Sequence, residues 1–168
     1  MKVEYINPFI ESVYDLFSNM LNCEAKRGEI GVSREIPPSR DLVALIGLSG
    51  PAKGIVALSF PVSTALAMVS KMLGNEMRIV DETVKDAMAE MINIIAGGAK
   101  ARLSSGEGDI IHLSLPTVVR GNSYKVDYPT LTAWLDVSFE SDVGPFHLRV
   151  AIEMSDEETE VNHESVNS

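Results

Sequence analysis

Residues 81–103 read DETVKDAMAEMINIIAGGAKARL, which is the longest helical pattern in the chain. Asp81 or Thr83 can cap its start, and acidic residues lie in the first turn, where the positive end of the helix dipole favours them. Lys100 and Arg102 lie near the other end, as the same dipole prefers. This stretch therefore predicts a long helix, around which the rest of the fold is organised.

The predicted helix has two chemically different faces. At about 100° per residue, one face collects mostly apolar side chains and is predicted to pack on the core: Val84, Met88, Met91, Ile95, Ala99 and Arg102, with Ala87 at its margin. The opposite face carries polar side chains and a glycine: Asp86, Glu90, Asn93 and Gly97, with Lys100 beside them. Glu90 and Asn93 are three residues apart, so their side chains project next to each other.

The Glu90–Asn93 pair is weakly informative by itself, because a polar helix face ordinarily contacts solvent. The pattern Glu-x-x-Asn occurs three times in the chain, at Glu4–Asn7, Glu90–Asn93 and Glu164–Asn167. Only the middle copy lies inside a strongly amphipathic helix and precedes small residues. Gly97 and Gly98 each cost about 1 kcal/mol in a helix relative to alanine, which indicates close packing or close approach of another surface.

The flanking segments predict an α+β fold with a mainly antiparallel sheet and helices packed on one face. Helices are expected at residues 7–22, capped by Asn7, and from the cap Ser63 to Gly74. Strands are expected at residues 24–35, 42–48, 54–60, 110–119, 131–139 and 146–154. Short links at residues 49–53 and 142–145 indicate two hairpins.

Length and composition indicate one globular domain over residues 1–154, followed by an acidic, disordered tail at residues 155–168. No apolar run reaches the ~20 residues that span a bilayer, and the N-terminus lacks the apolar core of a signal peptide, so we expect a cytoplasmic protein.

A net charge of −10 argues against nucleic acid as a partner and favours a protein partner with a basic patch. Cys23 is the single cysteine and the three histidines are far apart, so we expect a free, half-buried thiol and no structural metal site.

Several short motifs follow one another along the chain: Ile6-Asn7-Pro8-Phe9, Leu48-Ser49-Gly50, Lys53-Gly54-Ile55-Val56, Met72-Leu73-Gly74, Glu90-x-x-Asn93 with Ala96-Gly97-Gly98-Ala99-Lys100, and Leu115-Pro116-Thr117-Val118 before Gly121. In this order they resemble the CheX branch of the CheC/CheX/FliY phosphatases. The resemblance covers residues 3–154. It implies a CheC-like, pseudo-duplicated single domain that dephosphorylates CheY, a response regulator that carries its phosphate on an aspartate.

The resemblance also assigns roles to residues. Glu90 and Asn93 would be the active pair, and Asp86 and Gly97 would contact the partner. The chain would need no cofactor of its own, because Mg²⁺ and the phosphorylated aspartate belong to the response regulator. A homodimer that pairs through its sheets is implied as well. CheC-type relatives carry a second motif in the first helix, whereas this chain reads Glu11-Ser12-Val13-Tyr14 there and lacks the Asn, which fits a protein with one active site.

Two alternatives to the phosphatase remain open from the sequence. One is a non-catalytic, dimeric adaptor of the same fold that binds a response regulator or a flagellar-type partner. The other is an α+β protein of unrelated role. The presence of both Glu90 and Asn93 in one helix favours the enzyme, since a pure binding protein would not need Asn93.

Overall fold

The computed structural model describes residues 3–33, 39–104, 110–124 and 133–154. Within these ranges the helices are α1 (Asn7–Leu16), α2 (Val62–Leu73) and α3 (Glu82–Leu103), with a 3-10 turn at Val3–Ile6 and a π-helical turn at Phe17–Leu21. The strands are β1 (Ala25–Ser33), β2 (Ser39–Ser49), β3 (Ala52–Phe60), β4 (His112–Leu113), β5 (Thr117–Tyr124), β6 (Trp134–Ser141) and β7 (Phe146–Met154). The predicted tail at residues 155–168 lies outside the described residues.

The seven strands of the described ranges form one antiparallel sheet. Its order is β1-β6-β7-β3-β2, and both β4 and β5 pair with the remaining side of β2. The two predicted hairpins, β2–β3 and β6–β7, are adjacent pairs in this order. The fold class predicted from the sequence is therefore confirmed.

The helices cover one face of the sheet because alternate residues of β2, β3, β6 and β7 are apolar and point to that side. On this face lie, among others, Leu42, Ala44, Ile46, Val56, Leu58, Phe60, Leu135, Val137, Phe139, Phe146, Leu148 and Val150, all buried in one core. Phe146 is central to it, since its ring stacks on those of Phe17 and Phe139 at centroid distances of 5.3 and 4.9 Å. We refer to the other side of the sheet as the outer face.

Helix α3 follows the predicted pattern closely. Asp81 is the N-cap, and its side chain accepts a hydrogen bond from the backbone N–H of Val84 at 3.0 Å. The predicted apolar stripe is buried from Val84 to Ala99. Arg102 is the exception: it is exposed, and its guanidinium binds carboxylates of α1 instead.

Gly98 explains how closely α1 and α3 pack. A Cβ atom at Gly98 would lie 2.2 Å from the Oγ of Ser12, a buried residue of α1. A larger residue at position 98 would require the Ser12 side chain or the helix that carries it to move, so the unfavourable helix propensity of Gly98 is offset by close packing. Gly97 differs, because a Cβ there would meet no atom within 4 Å.

Two predicted helix caps are wrong. Asn7 is the first residue of α1 rather than its cap, because a 3-10 turn at Val3–Ile6 leads directly into the helix. Ser63 lies inside α2, whose N-cap is Pro61 and which has no side-chain cap. The predicted C-terminal end of α2 is correct, since Gly74 adopts the left-handed conformation at φ 73°.

The predicted strand at residues 110–119 is also wrong, because it is broken in two. His112 and Leu113 pair with Ser49 and Leu48, the chain leaves the sheet at residues 114–116, and β5 then pairs with β2 from Thr117 onward.

Among the helices of the described ranges, none is long and apolar enough to cross a membrane. Cys23 is a free, half-buried cysteine, as predicted.

Candidate active site

The outward side of α3 displays the residues that the sequence singles out. Asp86, Glu90 and Asn93 are all exposed and lie on three successive turns of α3, opposite the buried stripe. They line one wall of an open groove. Gly97 continues the same side of the helix one turn later but does not line the groove. Because its missing side chain leaves open space, the backbone of α3 is accessible there.

The second wall of the groove is the connection between β4 and β5. It comprises Ser114, Leu115 and Pro116 together with Leu113, the last residue of β4, and Ala89 of α3 completes the lining. The groove has a volume of about 410 Å³ and is open to solvent. One wall is therefore acidic and amide-bearing, and the other is mostly apolar.

Ser114 fixes this second wall to the sheet. Its backbone N–H donates to the carbonyl of Gly47 at 2.9 Å, and its Oγ accepts from the N–H of Gly47 at 2.8 Å. The same hydroxyl donates to the carbonyl of Leu115 at 3.1 Å. These three bonds hold the residues after β4 in one geometry beside α3, although they form no strand.

Sequence reasoning missed this wall. The motif Leu115-Pro116-Thr117-Val118 contributes to the family resemblance, but the sequence pattern predicts a continuous strand over residues 110–119. Pro116 was the available signal, because proline cannot donate a ladder hydrogen bond and marks the start or interruption of a strand. The contact with Gly47 could not be inferred, since it joins residues 67 positions apart.

Glu90 and Asn93 are free to contact a partner. Among the described residues, Glu90 forms no ion pair, and neither Glu90 nor Asn93 has a side-chain hydrogen-bond partner. The nearest ion pair on the same helix joins Lys85 to Glu82 at 3.3 Å, near the start of α3. In the described ranges, no group of three or more His, Cys, Asp or Glu side chains could hold a metal ion.

The corresponding position in α1 is already engaged in the fold. Glu11 binds the Nε of Arg102 at 3.0 Å, and Asp15 binds the same guanidinium. The hydrogen bond to Asp15 raises the pKa of Arg102 above its ordinary value, which reflects the favourable pairing of the guanidinium with the carboxylates of α1. Tyr14 occupies the place of the missing Asn and packs edge-on against Phe139 at 6.1 Å.

A family model described as "Chemotaxis phosphatase CheX" matches residues 42–140 of the chain. A CheY-P phosphatase CheX from Thermotoga maritima is 32% identical over 152 residues, which cover 89% of this chain and 97% of the relative. The chain belongs to the CheX family of chemotaxis phosphatases. The resemblance stated from the sequence is thereby confirmed.

Solved structures agree with this membership. A CheC-like superfamily protein from Shewanella sp. PV-4 has a TM-score of 0.81 and 30% identity, with 91% of this chain and 99% of that one covered. A CheX–CheY–BeF3–Mg²⁺ complex from Borrelia burgdorferi has a TM-score of 0.75 at 24% identity, with 90% and 99% covered, and this likeness concerns the fold. The segment matched by the CheX family model contains α3 and the β4–β5 connection but not Glu11.

Proposed function

We propose that this chain hydrolyses the aspartyl phosphate of a CheY-type response regulator and that Glu90 and Asn93 form its active pair. The observation that carries this proposal is their exposure, side by side, on one wall of an open groove in a chain of the CheX family. The groove is wide open, as a site for a folded protein substrate must be. A location in the cytoplasm is part of the same proposal.

Asn93 is the group that would position the attacking water. An acyl phosphate is already activated, so its hydrolysis mainly requires a water held in line with the leaving carboxylate. The side-chain amide of Asn93 offers both an acceptor oxygen and two donor hydrogens, which suits it to orient a water. It cannot act as a base, and its contribution is therefore geometric.

Glu90 would hold the regulator in register. Its carboxylate lies one turn from Asn93 and has no competing partner among the described residues, so it can bind a lysine of the response regulator. Asp86, one turn earlier in the same groove, adds negative charge that attracts a basic surface. Gly97 would let the regulator approach the backbone of α3 closely.

The metal ion would come with the substrate. In the Borrelia complex, CheX is found with CheY, BeF3 and Mg²⁺. We propose that Mg²⁺ likewise resides on the response regulator here and that this chain supplies only the amide and the carboxylate. The homodimer that the resemblance implies is a further part of the proposal, and the sheet would form its interface.

The decay of a phosphorylated CheY-type regulator from the same organism tests this mechanism. Wild-type protein, freed of divalent metal beforehand, should speed the decay in the presence of the Mg²⁺-loaded regulator. Asn93→Ala should lower kcat by about 100-fold or more while leaving binding nearly unchanged, because the lost interaction acts on the reacting water. Asn75→Ala, at an exposed asparagine after α2, is the matched control and should retain wild-type activity.

Two results would contradict the mechanism. Full turnover by Asn93→Ala would remove Asn93 from the chemistry. If wild-type protein binds the regulator but does not speed its decay, the chain acts as an adaptor of the same fold instead.

A further inference from the structure

We infer that Leu115 is a docking residue for the response regulator. This inference rests on the proposed function and extends it to the second wall of the groove. Leu115 lies at the tip of the β4–β5 connection and lines the same groove as Glu90 and Asn93. A protein docked in this groove lies against both Asn93 and Leu115.

The exposure of Leu115 is unusual for its environment. Its relative exposure is 89%, the largest among the exposed large apolar residues of the described ranges. Isolated apolar residues are common on surfaces, but Leu115 is not isolated, since Leu113 and Pro116 share its wall. The groove therefore places an apolar wall opposite a polar one, which can orient a bound protein in one direction.

Leu115 is also held in place without contributing to the core. Two hydrogen bonds fix Ser114, the preceding residue, to Gly47 of β2, and the Ser114 hydroxyl donates a third to the carbonyl of Leu115. Pro116, the following residue, restricts the backbone on the other side. The loop is thus already ordered before a partner binds, which lowers the entropic cost of association. Its side chain does not belong to the buried core, whereas Leu113 packs against that core.

The occupant is a response regulator with an apolar side chain beside its phosphorylated aspartate. Glu90 and Asn93 would face the charged centre of that surface, and Leu115 would contact the apolar residue at its margin. Burial of a leucine side chain on binding corresponds to about a tenfold change in affinity.

The test compares steady-state dephosphorylation by wild type, Leu115→Ser and Leu115→Met. Leu115→Ser should raise KM about tenfold and leave kcat within about twofold, because the contact forms equally in the ground and transition states. Leu115→Met restores an apolar side chain of similar volume and should recover most of the wild-type KM. Ile79→Ser is the matched control, since Ile79 is 69% exposed but does not line the groove.

The outcomes separate this inference from the proposed function. If wild type speeds the decay and the KM of Leu115→Ser stays within about twofold of it, the docking role is wrong and the active pair stands. A change in oligomeric state with unchanged KM would assign Leu115 to an interface between copies and also overturn the inference. If wild type has no activity, weaker binding of Leu115→Ser to the BeF3- and Mg²⁺-loaded regulator would still support docking, and equal binding would refute it.

Discussion

The role proposed for Glu90 depends on the ionic strength of the solution. Its carboxylate is exposed, so its attraction for a lysine is strong only where binding excludes water and salt. Glu90→Gln keeps the shape of the side chain and removes the charge. We expect it to raise KM about tenfold at low salt with little change in kcat, and the difference from wild type should shrink at high salt. Dephosphorylation kinetics at two ionic strengths measure both effects.

A suitable control for Glu90 is Glu76→Gln. Glu76 is also exposed and forms only a surface ion pair with Arg78, which contributes little to stability. This variant should show wild-type kinetics at both salt concentrations. A fall in kcat of Glu90→Gln at unchanged KM would instead mean that Glu90 takes part in the chemical step.

At the scale of elements, strands β6 and β7 are joined by a charged cluster on the outer face. Asp136 accepts hydrogen bonds from His147 at 2.9 Å and from Arg149 at 3.3 Å. Burial raises the pKa of Asp136, but these two partners outweigh burial and hold the pKa below its ordinary value. Since the ionised form is favoured in the folded protein, its stabilisation is present above about pH 3.9 and is lost as the pH falls through the folded-state pKa.

This linkage predicts the behaviour of Asp136→Asn. At pH 7 the free energy of unfolding of the variant should be about 1–2 kcal/mol lower than that of wild type, because two charge-assisted hydrogen bonds are weakened. The difference should narrow as the pH falls from about 4, where Asp136 of the unfolded chain becomes protonated, through the lower pKa that Asp136 has in the folded protein. Urea unfolding over a pH series measures it, with Glu140→Gln at an exposed site of the same strand as the control. Parallel pH profiles for wild type and Asp136→Asn would contradict this explanation.

The elements also differ in how well the sequence predicts them. Strand β7 has the predicted bounds, and α3 has one of its two predicted caps, Asp81, and the predicted buried stripe up to Ala99, because these features depend on local sequence. The same periodicity places Asp86, Glu90 and Asn93 on one exposed face. The break at residues 114–116 was not predictable in this way, since it depends on the pairing of Ser114 with the distant Gly47. The sequence therefore predicts the polar wall of the groove on α3 but not the apolar wall after β4.

At the scale of the whole molecule, the proposed homodimer needs a surface of the sheet that contacts a second copy of the chain. The edge strand β1 is poorly suited to strand pairing, because Lys26, Arg27 and Glu29 are exposed along it and its register shifts between Arg27 and Ile30. The outer face is better suited. A small apolar cluster of Trp134 and Ala151 lies there, with Ile55 half-buried against it.

We therefore expect the wild-type protein to sediment with twice the mass of one chain, and Ile55→Lys to sediment as a single chain. A lysine at the centre of an apolar contact would have to lose its hydration without a partner, which strongly disfavours association. Ile79→Lys places the same charge at an exposed residue outside the sheet and should leave the dimer intact. Circular dichroism confirms that each variant is folded. If wild type has the mass of one chain at every concentration used for the phosphatase assay, the active pair acts in a monomer and the outer face has no role in assembly.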